Sequence, residues 1–375
     1  MAWRVPHMHR LNHSLVGCGR LRMLSDPIRP KRFRAQDGLQ APIQVVIMLR
    51  RNFLRAILSL SPTMLAAAPV SAGAADATFP TRPVRIVVPV APGGSADKLA
   101  RTLATRLSET WHQPVVVDNV VGASGTIGAA QVAKARPDGH VLLLGGEGVT
   151  LNASLFKNLP YDTSYAFRGV TKAVVNPQVL VVRPDLGVRT FQDYVALARR
   201  KPGELALGLP GNGGIAHIAH EMLSRQLGLK VNYIPYAGGA PATVDLLGGH
   251  IDATLITLAA VTDYVRAGKL TALAVTTPYR SKALPQVPTL AEAGATGFAV
   301  ESWQGLLAPA ATPAAVVERI NRDVAAVLHA SATRSQLEDA GYVVVASSAQ
   351  ELDATLARDL PRYASVIAAS GITLR

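Results

Sequence analysis

The chain has 375 residues and a formal net charge of +13, which taken whole would point to nucleic acid or an anionic membrane surface. Residues 1–75 hold 11 Lys and Arg against 2 Asp and Glu, and the rest holds 27 against 23. The basic excess therefore belongs to a leader, and with no zinc-finger or RNA-binding pattern in the chain a nucleic-acid partner is excluded.

In chain order, residues 1–47 are rich in Arg, His and Pro without apolar periodicity. They read as an over-extended reading frame ahead of a start at Met48, or as a disordered extension. Met48-Leu49-Arg50-Arg51-Asn52-Phe53-Leu54-Arg55 is a basic n-region, Ala56 to Val70 an apolar h-region, and Ala72-Gly73-Ala74 a small-residue cleavage site. Residues 48–75 thus form a secretory signal, which places the mature protein in the periplasm. The apolar run is too short for a membrane span. Cys18, the one cysteine, follows Leu15-Val16-Gly17 in the letters of a lipoprotein box, but no apolar segment precedes it. The mature chain has no disulfide, and its core alone must stabilise it.

From Phe79 onward, β-branched runs alternate with Ala/Leu-rich helical stretches. Strands are predicted at 84–90, 114–118, 140–145, 178–183, 205–209, 231–235, 251–257, 270–276, 304–308 and 342–345. Helices are predicted at 96–109, 126–135, 190–200, 215–227, 240–248, 259–267, 313–330, 333–340 and 349–370. Such alternation gives an α/β fold of parallel sheets flanked by helices. Open sheets of this class bind ligands at the carboxyl ends of their strands.

Several loops at those ends share one chemistry. Pro92-Gly93-Gly94 ends the first strand, with Ser95 or Asp97 placed to cap the following helix. A glycine turn feeding a helix start aims free N–H groups and a positive dipole end at one point, where a small anion binds. The segments 119–128, 145–150, 210–214 and 236–240 repeat the pattern. Each alone is an ordinary tight connection, but their repetition favours a shared cleft.

The enzyme signatures nearly match and then fail. Gly122-x-x-Gly125-x-x-Gly128 misplaces the second glycine of a dinucleotide loop, and no G-x-x-x-x-G-K-[ST] loop exists. Gly93-Gly94-Ser95-Ala96-Asp97 and Gly122-Ala123-Ser124-Gly125-Thr126 each lack the final glycine of a hydrolase elbow. His217-Ile218-Ala219-His220-Glu221 follows neither zinc-helix order, and no third ligand stands nearby. Trp303 reads either as core or as site. The expectation is a binding protein without catalysis, cofactor or metal.

The segments Phe79-Pro80-x-Arg82-Pro83-Val84-Arg85-Ile86-Val87-Val88-Pro89, Ala91 to Asp97, Gln113-Pro114-Val115-Val116-Val117-Asp118-Asn119 and Gly125-Thr126-Ile127-Gly128-Ala129 belong together. With them stand Pro137-Asp138-Gly139, Pro235-Tyr236-x-Gly238, Asp245-Leu246-Leu247-Gly248-Gly249, Leu284-Pro285-x-Val287-Pro288-Thr289-Leu290 and Ser302-Trp303-x-Gly305-Leu306. In combination they resemble the periplasmic solute receptors of tripartite tricarboxylate transporters, often called Bug receptors, from about Phe79 to the C-terminus.

The resemblance implies a two-lobed periplasmic binding protein (type II, Venus-flytrap), each lobe a mostly parallel sheet flanked by helices. Lobe 1 would comprise 76–178 and 300–375, and lobe 2 would comprise 179–299. It further implies a small carboxylate ligand (dicarboxylate, tricarboxylate, amino acid or aromatic acid), held largely by backbone amides and delivered by a monomer to membrane transporter subunits. A receptor presenting its ligand to a sensor kinase is the alternative. Carried over residue by residue, the site is Gly93, Gly94, Ser95, Asp97, Gly125, Thr126, Asn212, His217, Tyr236, Ala237 and Gly238, with Thr257 and Trp303 behind them. Two departures bear on the ligand. Gly146-Glu147-Gly148 replaces a Ser/Thr-rich segment, so Glu147 in the cleft would repel an anionic end group. Gly214-Ile215 stands where a hydroxyl residue is common.

Overall fold

The computed structural model describes residues 79–370, so the readings of residues 1–47, the signal at 48–75 and Cys18 fall outside the described part. The first half of the described chain runs β1 (Val84–Val88), α1 (Ser95–Trp111), β2 (Val115–Asn119), α2 (Thr126–Ala133), β3 (Val141–Gly146), α3 (Gly148–Leu155), α4 (Thr163–Ala166) and β4 (Phe167–Val182). It continues with α5 (Phe191–Arg200), β5 (Ala206–Leu209), α6 (Ile215–Leu227), β6 (Asn232–Pro235), α7 (Gly239–Leu247), β7 (Ala253–Thr257), α8 (Leu258–Arg266) and β8 (Thr271–Val275). The last stretch is β9 (Glu301–Pro309), α9 (Ala314–His329), α10 (Ser331–Ala340), β10 (Val343–Val344) and α11 (Ala349–Ser370).

The strands build two lobes joined through β4. One sheet has the order β2-β1-β3-β9-β4 and the other β4-β7-β5-β6, with β10 and β8 also pairing β4. β4 is 16 residues long. Its segment Phe167–Pro177 pairs β9, and Gln178–Val182 pairs β7 and β8. The expected parallel pairing holds for β1 with β2 and β3, and for β5 with β6 and β7. The pairs made by β9 and β4 are antiparallel, so the sheets are mixed. The parallel strands deliver their carboxyl ends toward the space between the lobes, each except β7 followed by a turn that contains glycine.

Packing explains why these elements form. Leu99, Leu103 and Leu107 repeat along one face of α1 with Ala100 and Ala104, and all pack with Val84, Ile86 and Val88 of β1. Each fully buried Leu contributes roughly 1.5–3 kcal/mol. In lobe 2, Ile218, Ala219 and Leu223 of α6 pack with Tyr194, Leu207, Leu209 and Leu255, and Tyr363 and Ile367 of α11 join the same cluster. Among the described residues no helix is long and apolar enough to cross a membrane.

Several features depart from the expectation, among them the short helix α4, which was not expected. The helix α3 begins where Gly146-Glu147-Gly148 reads as loop, because Glu147 itself serves as its N-cap residue. The first two-thirds of β4 was not expected, since Arg168, Lys172 and Asn176 interrupt its apolar pattern. Gly94, not Ser95 or Asp97, is the N-cap of α1.

Candidate functional site

A cavity of about 390 Å³ lies between the lobes, within the range of small-molecule sites. Five helix N-termini open onto it, the α3 start at Glu147 and Gly148 among them. Gly94, Ser95 and Ala96 begin α1, Gly125 precedes α2, Gly214 and Ile215 begin α6, and Gly238 and Gly239 begin α7. The N–H groups of a first helical turn have no intrahelical acceptor, so each start is an anion seat. Gly238 has φ +148°, and a Cβ there would stand 3.2 Å from Ala91 N. That closeness is needed, because Ala91 N donates to Ala237 O at 3.0 Å across the cleft.

Ser95 is the node of the polar wall. Its Oγ accepts from Thr257 Oγ1 at 2.8 Å and from Gln304 Nε2 at 2.9 Å. Its carbonyl accepts from Tyr342 Oη at 2.6 Å. With two bonds accepted, the Ser95 hydroxyl still has its own proton to donate, and Ser95 lines the cavity. The link to Thr257 also ties the lobes, as does Ser124 Oγ donating to Asn212 O at 2.9 Å. Ala123 and Ser124 adopt φ of +44° and +53°, a conformation disfavoured for residues other than glycine. Asn152 Nδ2 holds that turn by donating to Ser124 O at 3.1 Å.

Of the expected residues, Gly94, Ser95, Gly125, Glu147, Asn212, Tyr236, Ala237, Gly238, Thr257 and Trp303 line the cavity. Gly93, Asp97, Thr126 and His217 stand behind it. Asp97 Oδ2 accepts from Gly93 N at 2.9 Å and Arg101 Nε at 2.8 Å, and Oδ1 accepts from Asn119 Nδ2 at 3.0 Å. Burial would raise this carboxyl, but the hydrogen bonds from Arg101, Gly93 and Asn119 outweigh it and hold it below its ordinary range. His217 Nδ1 accepts from Gly213 N at 3.1 Å, its ring packs 4.9 Å from that of Tyr233, and burial keeps it neutral to lower pH. Thr126 is buried in the first turn of α2.

Glu147 is corrected in its role. Its residue lines the cavity, but Oε1 accepts from Ser302 Oγ at 2.9 Å and Oε2 from Trp303 N at 3.1 Å. Burial pushes the carboxyl above its ordinary range against those hydrogen bonds, and nearby Asp359 adds to the rise. The group fastens α3 to β9 rather than presenting a free charge to the ligand. Tyr236 likewise donates its hydroxyl to Asp245 Oδ2 at 2.7 Å and gives the cavity its ring, with burial pushing the phenol up to about 12. Trp303 serves both readings: it packs with Leu143 and Val149 and also lines the cavity.

The sequence reading missed Ser124, Asn152, Gln178, Ser302 and Gln304, all of which line the cavity. Ser302 and Gln304, polar residues alternating within an apolar strand, were the available signal. No Lys, Arg or His stands among the lining residues, and Glu147 and Tyr236 are the ionisable ones there. Ser95 has Thr257 and Gln304 as its hydroxyl partners, neither able to act as a general base. His220, one turn beyond His217, bridges the hydroxyls of Tyr194 (2.9 Å) and Tyr233 (3.0 Å), and burial pushes it down to about 3. It is core. Among the described residues no three His, Cys, Asp or Glu side chains converge as metal ligands.

Comparison with known proteins supplies the family. Residues 99–372 match the model for the tripartite tricarboxylate transporter family receptor. The chain is similar to Protein BugT of Bordetella pertussis, at 36% identity over 311 residues, covering 82% of this chain and 94% of that protein. Among solved structures, an R. palustris protein with adipate shares 34% identity at a TM-score of 0.76, over 79% of this chain and 99% of that one. MatC from Rhodopseudomonas palustris with bound malate shares 30% identity at a TM-score of 0.73, over 77% of this chain and 100% of that one. The two-lobed fold, the glycine-edged cleft and these matches agree: the chain belongs to the tripartite tricarboxylate transporter receptor family.

Proposed function

We propose that this protein is a periplasmic receptor that captures a small carboxylate between its lobes and delivers it to a membrane transporter of the tripartite tricarboxylate type. The observation that carries the reading is the Ser95 corner. A hydroxyl that accepts from Thr257 of the facing lobe and from Gln304 sits at the N-terminus of α1, in a cavity without a lining cation. A carboxylate there is held by neutral donors, each charge-assisted hydrogen bond worth about 1.5–3 kcal/mol and each helix end about 0.3–1 kcal/mol. The adipate and malate in the two related structures support a carboxylate as the ligand class.

Within this reading, the described part of lobe 1 is residues 79–178 with 300–370 and lobe 2 is 179–299, a division supported by the passage of β4 from β9 at Pro177 to β7 at Gln178. Gly94, Ser95, Gly125, Asn212, Ala237, Gly238 and Thr257 contact the ligand, while Gly93, Asp97, Thr126 and His217 shape the loops that do. The ligand leaves unchanged, because no nucleophile and base are paired among the lining residues.

Thermal unfolding of the purified protein against a panel of dicarboxylates, tricarboxylates, amino acids and aromatic acids tests this. A bound member at a hundredfold excess over its Kd adds about 2.7 kcal/mol of stability, and it should be recovered chemically intact. No stabilisation by any member would contradict the proposal.

A further inference from the structure

One buried acid stands in the wall of the cavity, and no lining cation accompanies it. Glu147 is 7% exposed and lines the cavity together with Ser302 and Trp303. Its carboxyl accepts from Ser302 Oγ at 2.9 Å and from Trp303 N at 3.1 Å, both neutral donors. Ser302 and Gln304 stand two residues apart on one face of β9, about 7 Å along the strand. Gln304 in turn donates to Ser95 Oγ at 2.9 Å. The Ser95 seat and the Glu147 carboxyl are thus reached from neighbouring positions of one strand face. The elements around Glu147 bring no compensating charge. Its own helix α3, α2, α4 and β3 hold no charged side chain, and the Tyr165 phenol of α4 is exposed. Tyr161, ahead of α4, has a phenol that burial pushes up to about 12. On β9, Glu301 is exposed and holds the Tyr279 phenol. On α11, Asp359 adds like charge to Glu147 and is itself bonded to Arg358 Nη2 at 3.0 Å, while Arg362 lies over the Tyr363 ring. Burial already raises the Glu147 carboxyl above its ordinary range. A second negative charge within about 10 Å makes its ionisation about tenfold harder still.

We propose that the cavity captures a proton together with its carboxylate, the proton passing from solvent to a carboxyl oxygen of Glu147 as the ligand enters. This rests on the carboxylate reading of the same cavity. A protonated carboxyl keeps acceptor capacity on both oxygens, so Ser302 and Trp303 still donate to it and the strap between α3 and β9 survives. What changes is the charge: the loaded protein gains less negative charge than the ligand carries. Uptake falls in the pH window between the Glu147 values of the empty and the loaded protein. The loaded value is the higher of the two, so affinity declines as pH rises through that window. Glu147 needs no contact with the ligand for this, because the coupling is the repulsion of two charges across a water-poor wall.

Titration calorimetry on the purified protein with malate, adipate, glutamate and benzoate tests the inference. The titrations run from about pH 6.5 to 9, where these carboxylates are ionised, in buffers of differing protonation enthalpy that count the protons exchanged. The tightest binder of the four should take up about half a proton per ligand at the pH of greatest uptake. Its affinity should be about tenfold weaker at the alkaline end than at the acid end. The infrared band of a protonated carboxyl should grow when it binds. Glu147→Gln should remove the uptake, the pH dependence and the band, and should bind within about threefold of the wild type at its acid end. Binding without proton uptake at any pH in the wild type overturns the inference and leaves carboxylate capture standing. Uptake that survives in Glu147→Gln overturns it too, since another group would then receive the proton. Binding by none of the four overturns it together with the proposed function.

Discussion

In the Gly93–Asp97 loop of lobe 1 and the Gly213–His217 loop of lobe 2, a glycine with positive φ (+87° and +73°) precedes an extended N-cap glycine. The N-cap angles are −77°, 178° at Gly94 and −70°, 173° at Gly214. In each loop the side chain at the third helical position reaches back and accepts from the first glycine's N–H, at 2.9 Å for Asp97 and 3.1 Å for His217. The backbone is the same and the chemistry is not. Asp97 is a charged acceptor also bound by Arg101 and Asn119, whereas His217 is a neutral ring against Tyr233. At the first helical position lobe 1 offers the Ser95 hydroxyl and lobe 2 the apolar Ile215, both lining the cavity. The loops thus share how a helix end is aimed and differ in what it presents: a polar seat on one side and an apolar wall on the other.

The largest effect should come from breaking the lobe 1 latch. Asp97→Ala leaves the Gly93 N–H without its acceptor and Asn119 Nδ2 with only Val90 O, costing about 2–4 kcal/mol of stability and abolishing carboxylate binding. Denaturant unfolding and calorimetry would show both, and an unchanged affinity would mean that the loop needs no latch. Next, Ser95→Ala should keep the fold but weaken carboxylate binding about ten- to a hundredfold, because it removes the free donor and strands those of Thr257 and Gln304.

Acid should separate the two latches. Burial lowers His217 from its ordinary 6.5 against the opposing pull of Glu221, so the unfolded chain binds a proton that the folded chain refuses. Its contribution is complete above pH 6.5 and declines as pH falls through the depressed folded value. Asp97, held below its ordinary 3.8, contributes fully above pH 3.8 and loses that contribution only in stronger acid. Between pH 6.5 and 4, Tm should therefore fall through the lobe 2 histidines, His220 included, and His217→Asn should flatten the slope. An equal slope in wild type and variant would show that His217 does not titrate with folding. The smallest effect is expected of Ile215→Ser, which copies the lobe 1 hydroxyl into lobe 2. Affinity for a dicarboxylate should rise by a few fold and that for a phenyl-bearing acid should fall by a few fold, about 1 kcal/mol each.

The glycine turns were readable because glycine marks both a positive φ and the start of a helix, and Gly93, Gly125, Gly213 and Gly238 all have that backbone. The roles of Asp97 and His217 were not, since both stand three residues into a helix and a sequence does not say whether a side chain points to the ligand or back to its own loop. Glu147 shows the same gap: its charge was visible, but Ser302 and the Trp303 N–H that occupy it lie about 155 residues away in sequence. Gln178 was hidden in a strand that reads as core, because only the antiparallel register of β4 with β7 sets it opposite Thr257 at the cavity. The mixed sheet was hidden for a like reason: β4 serves both lobes, and strand alternation alone does not show that one strand changes partners midway.

The central claim is that a carboxylate is held by neutral donors at facing helix ends, with the polar seat in lobe 1. A crystal structure of the protein with its tightest-binding carboxylate tests this most directly. The account predicts a carboxylate oxygen within hydrogen-bond distance of Ser95 Oγ and the first-turn N–H groups of α1, with the α7 start at Gly238–Gly239 closing over it and Ile215 against the ligand body. A carboxylate paired instead with a Lys, Arg or His side chain, or seated outside the cleft, would contradict it.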